Sequence, residues 1–113
     1  MSTTGRAVTM DREAARSWMS QCGYLGWLGL VDLVYDRLPP GLRIKQVYQK
    51  WAELRFDLDP EDEAFEAFLT EIAEWSATIC SVCGGPGRNQ LVDDREETIC
   101  DACHALAVSR TDP

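Results

Sequence analysis

Two Cys-x-x-Cys pairs near the C-terminus constrain this chain more than any other feature. The first pair is Cys80 and Cys83, the second is Cys100 and Cys103, and sixteen residues lie between the pairs. Two residues between thiols let both sulfurs of one turn reach a single ion at about 2.3 Å, and a second pair completes a tetrahedron. The spacing therefore predicts a four-cysteine Zn²⁺ site that folds a small zinc ribbon over residues 80–104.

Other uses of the same cysteines are two disulfides or two unrelated reduced pairs. The chain has neither a secretory leader pattern nor an apolar run long enough to cross a bilayer, so we expect a cytoplasmic protein with reduced thiols. His104, the single histidine, is an alternative fourth ligand next to Cys103. Cys22 lies outside the frame, and we expect it to be buried and inert.

The charge of the chain is negative and unevenly placed. The 113 residues carry a formal net charge of −8, which argues against general nucleic-acid binding and suits a soluble protein with a basic partner. Residues 1–56 hold eight basic and five acidic residues, whereas residues 57–79 hold eight acidic residues and no basic one. We therefore expect an acidic surface in the middle of the chain.

The first half of the chain contains capping and helix-ending residues that are typical of short helices followed by a hairpin. We expect a flexible tail over residues 1–10, a helix over 11–21 capped by its first residue, and a second helix over 27–38 that two prolines end. Period-two alternation then predicts strands over 43–51 and 54–58, joined by a turn near Ala52 and Glu53.

The side chains of this hairpin are assigned to faces by strict alternation. Ile44 and Tyr48 are predicted on one face of the first strand and Val47 on the other. In the second strand the apolar residues Leu54, Phe56 and Leu58 are predicted to point inward.

An acidic amphipathic helix over residues 61–78 is predicted to cover the hairpin. Asp59 reads as its N-cap, with Pro60 at the first helical position. The apolar stripe comprises Phe65, Phe68, Leu69, Ile72, Trp75 and Ile79. The opposite face and the later ribbon turn supply the candidate partner-binding residues, which are Glu63, Glu66, Glu71, Glu74, Asp93 and Asp94.

Together these elements predict an α+β protein with short N-terminal helices, a hairpin under an acidic helix, and a C-terminal zinc ribbon. Its core should span residues 11–79. The ribbon should contain strands over 88–92 and 97–100, and residues 105–113 should form a flexible tail. Because so short a ribbon has few apolar residues, we expect the metal to supply most of its folding free energy, about 10–16 kcal/mol.

Catalysis is not expected. A catalytic zinc keeps an open coordination position, whereas four cysteines close the shell. The chain also lacks a Gly-rich phosphate loop and a recognisable nucleophile motif. Basic residues of the hairpin, near Tyr48 and Trp51, could contact a phosphate backbone, but we expect them to pair with the acidic helix instead; they are Arg43, Lys45, Lys50 and Arg55.

The chain resembles a group of small bacterial and phage accessory proteins. They share a hairpin of the form K-Q-V-x-x-K-[FW]-x-x-L-R-F, an acidic helix, then C-x-V-C-G-x-P-G and a closing C-D-x-[HC]. The matching segments here are Lys45–Phe56, Cys80–Gly87 and Cys100–Cys103, and the likeness covers residues 24–104. It departs at Ala52, where a glycine is usual, and in the second ribbon strand, where acidic residues replace an aromatic one.

The resemblance implies a ligand role for Cys103, whose place is often taken by histidine in the group. It also implies accessory proteins of mobile loci, some of which resemble immunity partners of bacterial toxins. We therefore expect a stoichiometric inhibitor whose acidic helix or ribbon covers a basic active site. The alternative is a zinc-ribbon regulator that contacts nucleic acid through the basic hairpin.

Overall fold

The fold is known from a computed structural model that describes residues 9–111, with side chains through residue 108. The described residues form four α-helices and two antiparallel hairpins, which confirms the α+β class. In chain order the elements are helix α1 (Arg12–Gln21), a 3-10 turn (Leu25–Trp27), helix α2 (Leu28–Arg37), strands β1 (Arg43–Lys50) and β2 (Glu53–Asp59), helix α3 (Glu63–Ser76), strands β3 (Arg88–Val92) and β4 (Arg95–Ile99), and helix α4 (Asp101–Thr111).

Helix α1 begins where its cap was predicted. The side chain of Asp11 accepts a hydrogen bond from the backbone N–H of Ala14 at 2.8 Å, which satisfies one of the donors left free at a helix start. Ala15 and Met19 are buried, but Trp18 is 43% exposed. The buried stripe of α1 therefore follows the four-residue step from Ala15 to Met19.

The hairpin departs from strict alternation at one residue. The register of β1 against β2 shifts between Ile44 and Gln46, which leaves Lys45 as an extra residue. Ile44 and Val47 are therefore both buried, although strict alternation had placed them on opposite faces. Leu54 and Phe56 are buried as predicted.

The turn between these strands lies one residue earlier than predicted. Trp51 and Ala52 form it, with φ of 58° and 65°. Positive φ at both central residues matches the right-handed twist of the strands. A non-glycine residue resists this conformation because its Cβ crowds the following carbonyl.

Helix α3 begins later than the Asp-Pro sequence had indicated. Its N-cap is Asp62, whose carboxylate accepts from the backbone N–H of Phe65 at 2.9 Å. The predicted cap, Asp59, lies in β2 and pairs with Arg43 at 2.8 Å. The helix ends at Ser76, two residues before the predicted end.

The apolar stripe of α3 is only partly as predicted. Phe65, Leu69 and Ile72 are buried, whereas Trp75 is 53% exposed. The position after it, Ser76, is fully buried instead, and its Oγ accepts the backbone N–H of Leu54 at 2.9 Å. The last turn of α3 therefore meets β2 through a hydroxyl rather than through the indole.

The apolar core is divided very unequally. The main cluster joins α1, α2, the first hairpin and α3 around buried side chains such as Trp27, Val34 and Leu54. The buried part of the second cluster comprises Cys80, Val92 and Ile99. So small a cluster cannot by itself offset the conformational entropy of ordering the ribbon.

Part of the predicted C-terminal tail is helical, because α4 starts between the second pair of cysteines and continues to Thr111. Most of the predicted N-terminal tail, residues 1–8, and residues 112–113 lie outside the described residues. Within the described range, no helix combines the length and the apolar character needed to cross a membrane.

Candidate metal centre

Three segments bring the four predicted cysteines together. Cys80 and Cys83 follow α3, Cys100 follows β4, and Cys103 lies in the first turn of α4. All four Sγ atoms lie within 4.8 Å of one another. The Sγ atoms of Cys83 and Cys100 are 3.8 Å apart, and two corners of a tetrahedron with bonds of about 2.3 Å are also separated by about 3.8 Å. The four thiols are positioned to hold one metal ion.

Backbone N–H groups point at the sulfurs. Cys83 donates to the Sγ of Cys80, Gly85 to the Sγ of Cys83, and Cys103 to the Sγ of Cys100, each at 3.4 Å. Such bonds stabilise a thiolate, which is the form that ligates metal. Gly84, directly after the first pair, has a φ of 85°, a left-handed conformation that glycine adopts without the steric cost of a Cβ.

The pKa values of the thiols differ strongly within the cluster. Burial raises the pKa of Cys80, but backbone N–H groups led by that of Cys83 outweigh it and bring the pKa to about 6. Burial and the neighbouring thiols, beginning with Cys100, raise the pKa of Cys103 to about 12. A bound cation would remove this conflict, because it attracts all four thiolates at once.

The other two candidate thiol or imidazole groups lie elsewhere. The Nε2 atom of His104 is 2.9 Å from the carbonyl oxygen of Leu91, and the described cluster is completed by Cys103. Cys22 is exposed, so the prediction that it is buried was wrong. It is the C-cap residue of α1.

Contacts that the sequence did not reveal fix the metal centre to the helical core. Gly26 donates its backbone N–H to the carbonyl of Ser81 at 2.8 Å. A Cβ at Gly26 would lie 2.1 Å from the carbonyl oxygen of Cys80 and 2.4 Å from the backbone nitrogen of Gly84. The indole N–H of Trp27 donates to the carbonyl of Ile79 at 2.9 Å.

The second ribbon strand contacts the core through buried polar groups. Thr98 donates its hydroxyl to the carbonyl of Ala52 at 2.6 Å, and Tyr24 donates to the carboxylate of Glu97 at 3.2 Å. Burial raises the pKa of Glu97, although the hydrogen bond from Tyr24 and the charge of Arg95 oppose this. No sequence pattern marked Thr98 or Glu97, since a buried polar residue on a short strand reads as a solvent-facing one.

The predicted partner-binding residues are all exposed, but they do not line one site. Glu63, Glu66, Glu71 and Glu74 occupy α3, and no ion pair reaches them from the described residues. Asp93 and Asp94 form the β3–β4 turn with φ of 52° and 65°. Asp94 lines a groove beside Trp18 and Trp51, whereas Glu66 and Glu74 line a different groove beside β2.

The ion pairs of the basic hairpin residues are local. Arg43 pairs with Asp59 and Arg55 with Glu53, both at 2.8 Å. The prediction that these bases pair with the acidic helix was therefore wrong, since both acidic partners belong to β2. The consequence is that α3 keeps its negative charge.

Comparison with known proteins found no match for the chain. No protein-family model matches it, and neither a curated protein nor a solved structure matches it significantly.

Proposed function

We propose that this is a non-catalytic zinc protein that acts by binding a partner protein with a basic surface, as an immunity or inhibitor protein does. The observation that carries the proposal is the exposed glutamate face of α3. Exposed like charges without a described counter-charge repel one another and are relieved by a cationic partner. The apolar side of the same helix packs on the hairpin, so the acidic face is held on a rigid support.

Zinc is the ion we propose for the four cysteines, in a structural role. Four thiolates in a tetrahedral arrangement suit Zn²⁺ or iron, and Zn²⁺ brings no redox chemistry to a site that already has a full shell. The ion would link the end of α3, the ribbon and the start of α4. Ordering these segments would fix the surface that surrounds the acidic face.

The inhibitor role in particular is supported by the resemblance to immunity-like accessory proteins and by charge complementarity with a basic active site. The alternative of nucleic-acid binding through the hairpin has less support. Arg43 and Arg55 are already paired with acids of the same hairpin. A duplex or single strand would also meet the repulsion of a chain with net charge −8.

Native mass spectrometry with elemental analysis tests the metal. We expect one zinc ion per chain and loss of that mass on treatment with a chelator. A protein purified with iron and showing the visible absorption of an iron–thiolate centre would contradict the assignment of zinc. A chain that binds no metal at all would overturn the proposal of a metal site.

Co-expression with the product of an adjacent gene tests the partner. We expect a stoichiometric complex that weakens with salt and is lost when Glu63, Glu66, Glu71 and Glu74 are all changed to lysine. Glu13→Lys, an exposed charge reversal on α1, serves as the control and should preserve the complex. If the fourfold reversal left binding and its salt dependence unchanged, the acidic face would not be the binding surface.

A further inference from the structure

A groove of about 510 Å³ runs between the first hairpin and α3. Six consecutive residues of β2, from Glu53 to Leu58, form one wall. The other wall belongs to α3 and comprises Glu66, Leu69, Thr70, Ala73 and Glu74. Thr70 and Ala73 are small, so this wall leaves room beside the strand. A groove that follows a strand for six residues has the shape of an extended peptide rather than of a compact ligand.

The edge of β2 that faces away from β1 is open along part of this groove. The backbone N–H of Leu54 points toward α3, because it donates to the hydroxyl of Ser76. N–H groups two residues apart point the same way in a strand, so that of Phe56 is directed to the same side. No hydrogen bond to a group outside the β1–β2 ladder is present for Phe56 N–H among the described residues. An unpaired strand edge is a template for another strand.

The charge of the groove selects a basic occupant. Five acidic residues line it against two basic ones, namely Glu53, Asp57, Glu61, Glu66 and Glu74 against Lys45 and Arg55. Arg55 is engaged by Glu53 at 2.8 Å, and Asp57 accepts a hydrogen bond from the hydroxyl of Tyr48 at 2.9 Å. Glu61, Glu66 and Glu74 have no ion pair in the described structure. These three carboxylates can therefore accept cations from a ligand.

We propose that this groove binds an extended, lysine- or arginine-bearing segment of the partner, which adds as a strand to the edge of β2. Main-chain hydrogen bonds to the strand edge would give affinity, and alternate cationic side chains would lie against Glu66 and Glu74. The inference rests on the proposed function, because it names the part of the acidic face that makes the contact and the form of the ligand. A second copy of this chain is a poorer occupant, since its net charge of −8 would repel the groove.

A synthetic peptide tests the site directly. The probe is a capped, fluorescein-labelled hexapeptide of alternating lysine and valine, and the readout is fluorescence anisotropy at low and at physiological salt. We expect saturable binding that weakens as salt is added. The double variant Glu66→Lys/Glu74→Lys should weaken binding by about tenfold or more, because two groove charges change sign.

The matched control is Glu13→Lys/Glu96→Lys, which makes the same change of net charge at two exposed positions outside the groove lining and outside the acidic face of α3. We expect it to change the affinity by no more than about threefold, as screened surface charges do. If the two double variants weaken binding equally, the groove is not the site, although the acidic face as a whole stands as the proposed binding surface.

Peptides N-methylated at alternate residues, made in both registers, test the strand pairing. At least one register should lose most of the binding, since methylation removes the N–H that would pair with β2. Equal binding of both methylated peptides would mean attraction by charge alone and would overturn the strand-addition proposal. Failure of the unmodified peptide to bind the wild-type protein would overturn the strand-addition proposal as well. The proposed function is tested independently, by the complex with the product of the adjacent gene and by its loss in the fourfold glutamate-to-lysine variant.

Discussion

Which residue completes the metal shell can be decided at single positions. We expect Cys103→Ser to abolish stable binding of the ion, because it removes one of the four sulfurs that lie within 4.8 Å. His104→Ala should retain one ion per chain, since the imidazole contacts the carbonyl of Leu91 instead. Native mass spectrometry measures both, with Cys22→Ser as the control for a cysteine outside the cluster. Metal loss in His104→Ala with retention in Cys103→Ser would reverse the assignment.

Gly26 and Gly29, which lie three residues apart, offer a second comparison at the scale of single residues. Gly26→Ala would place its Cβ against backbone atoms of Cys80 and Gly84. Overpacking of this kind typically costs about 1–3 kcal/mol, and we expect at least the upper part of that range because backbone rather than a flexible side chain must move. Gly29→Ala in α2 meets nothing within 4 Å, and it should be neutral or stabilise by up to about 1 kcal/mol.

Urea unfolding of the zinc-loaded proteins measures this difference, and metal retention in the presence of a competing chelator localises it to the ribbon. Equal stability of the two variants would mean that the loop from Cys80 to Gly84 can move away from the 3-10 turn at little cost. Its hydrogen bond from Gly26 to Ser81 would then contribute little to docking.

At the scale of elements, the contact between β4 and the core carries a buried carboxyl group. The pKa of Glu97 is raised in the folded protein, chiefly by burial, so folding favours its neutral form. Stability from this group is therefore present below the unfolded pKa and is lost as the pH rises through the folded value. We expect Glu97→Gln, which stays neutral, to be more stable than wild type near neutral pH.

This advantage should shrink as the pH falls through the raised pKa of Glu97 in the folded protein, because the wild-type carboxylate then gains its proton. Urea unfolding at several pH values with zinc in excess measures it. The control is Glu96→Gln on the exposed side of the same strand, which should show little difference across the range. A Glu97→Gln variant that is less stable than wild type at every pH would show that the charge of the carboxylate, paired with Arg95, matters more than its burial.

The helices and strands also show which parts of the fold can be predicted from the sequence. Four cysteines at ligand spacing identify the metal centre without any tertiary information, because the ligands of each pair are neighbours in the chain. The existence of the hairpin follows from alternation, but the extra residue Lys45 does not, since nothing in its side chain marks a bulge. The Trp51–Ala52 turn lacks the glycine that normally signals such a conformation.

The wrong assignment of Trp75 to the buried stripe of α3 is explained by a tertiary contact between α3 and β2. Spacing alone favours Trp75 for the buried stripe, and propensity gives no reason to bury Ser76. The buried serine is selected by an outward-pointing N–H on β2, which needs an acceptor. Similarly, the contact of Gly26 with Cys80 joins positions far apart in the sequence, and only the folded chain reveals it.

The protein combines a large apolar core with a ribbon that has only a small apolar cluster of its own. The main cluster contains fully buried side chains from α1, α2 and the first hairpin, whereas the buried part of the ribbon cluster is two aliphatic residues and a cysteine. What joins them is polar, namely the bonds from Gly26 to Ser81, from Trp27 to Ile79 and from Thr98 to Ala52. The ion should therefore stabilise the two parts unequally.

Removal of the metal tests this inequality by hydrogen exchange. We expect amides of β3, β4 and the loop from Cys80 to Gly84 to lose protection on chelation, because structural zinc supplies about 10–16 kcal/mol of apparent free energy that the ribbon cannot replace. The turn at Trp51 and Ala52 should lose part of its protection, since Thr98 no longer holds its carbonyl. Amides near Val47 and Val34 should stay protected, because their side chains lie in the main cluster.

Adding the ion back should restore the protection of these amides. The Cys103→Ser variant should show the same loss of amide protection without a chelator. Uniform loss of protection along the chain would instead mean that ribbon and core unfold as one cooperative unit. Unchanged exchange throughout the described residues would mean that the ribbon keeps its order without metal. The graded outcome is the one that follows from a large apolar core, a ribbon with almost none, and a few buried hydrogen bonds between them.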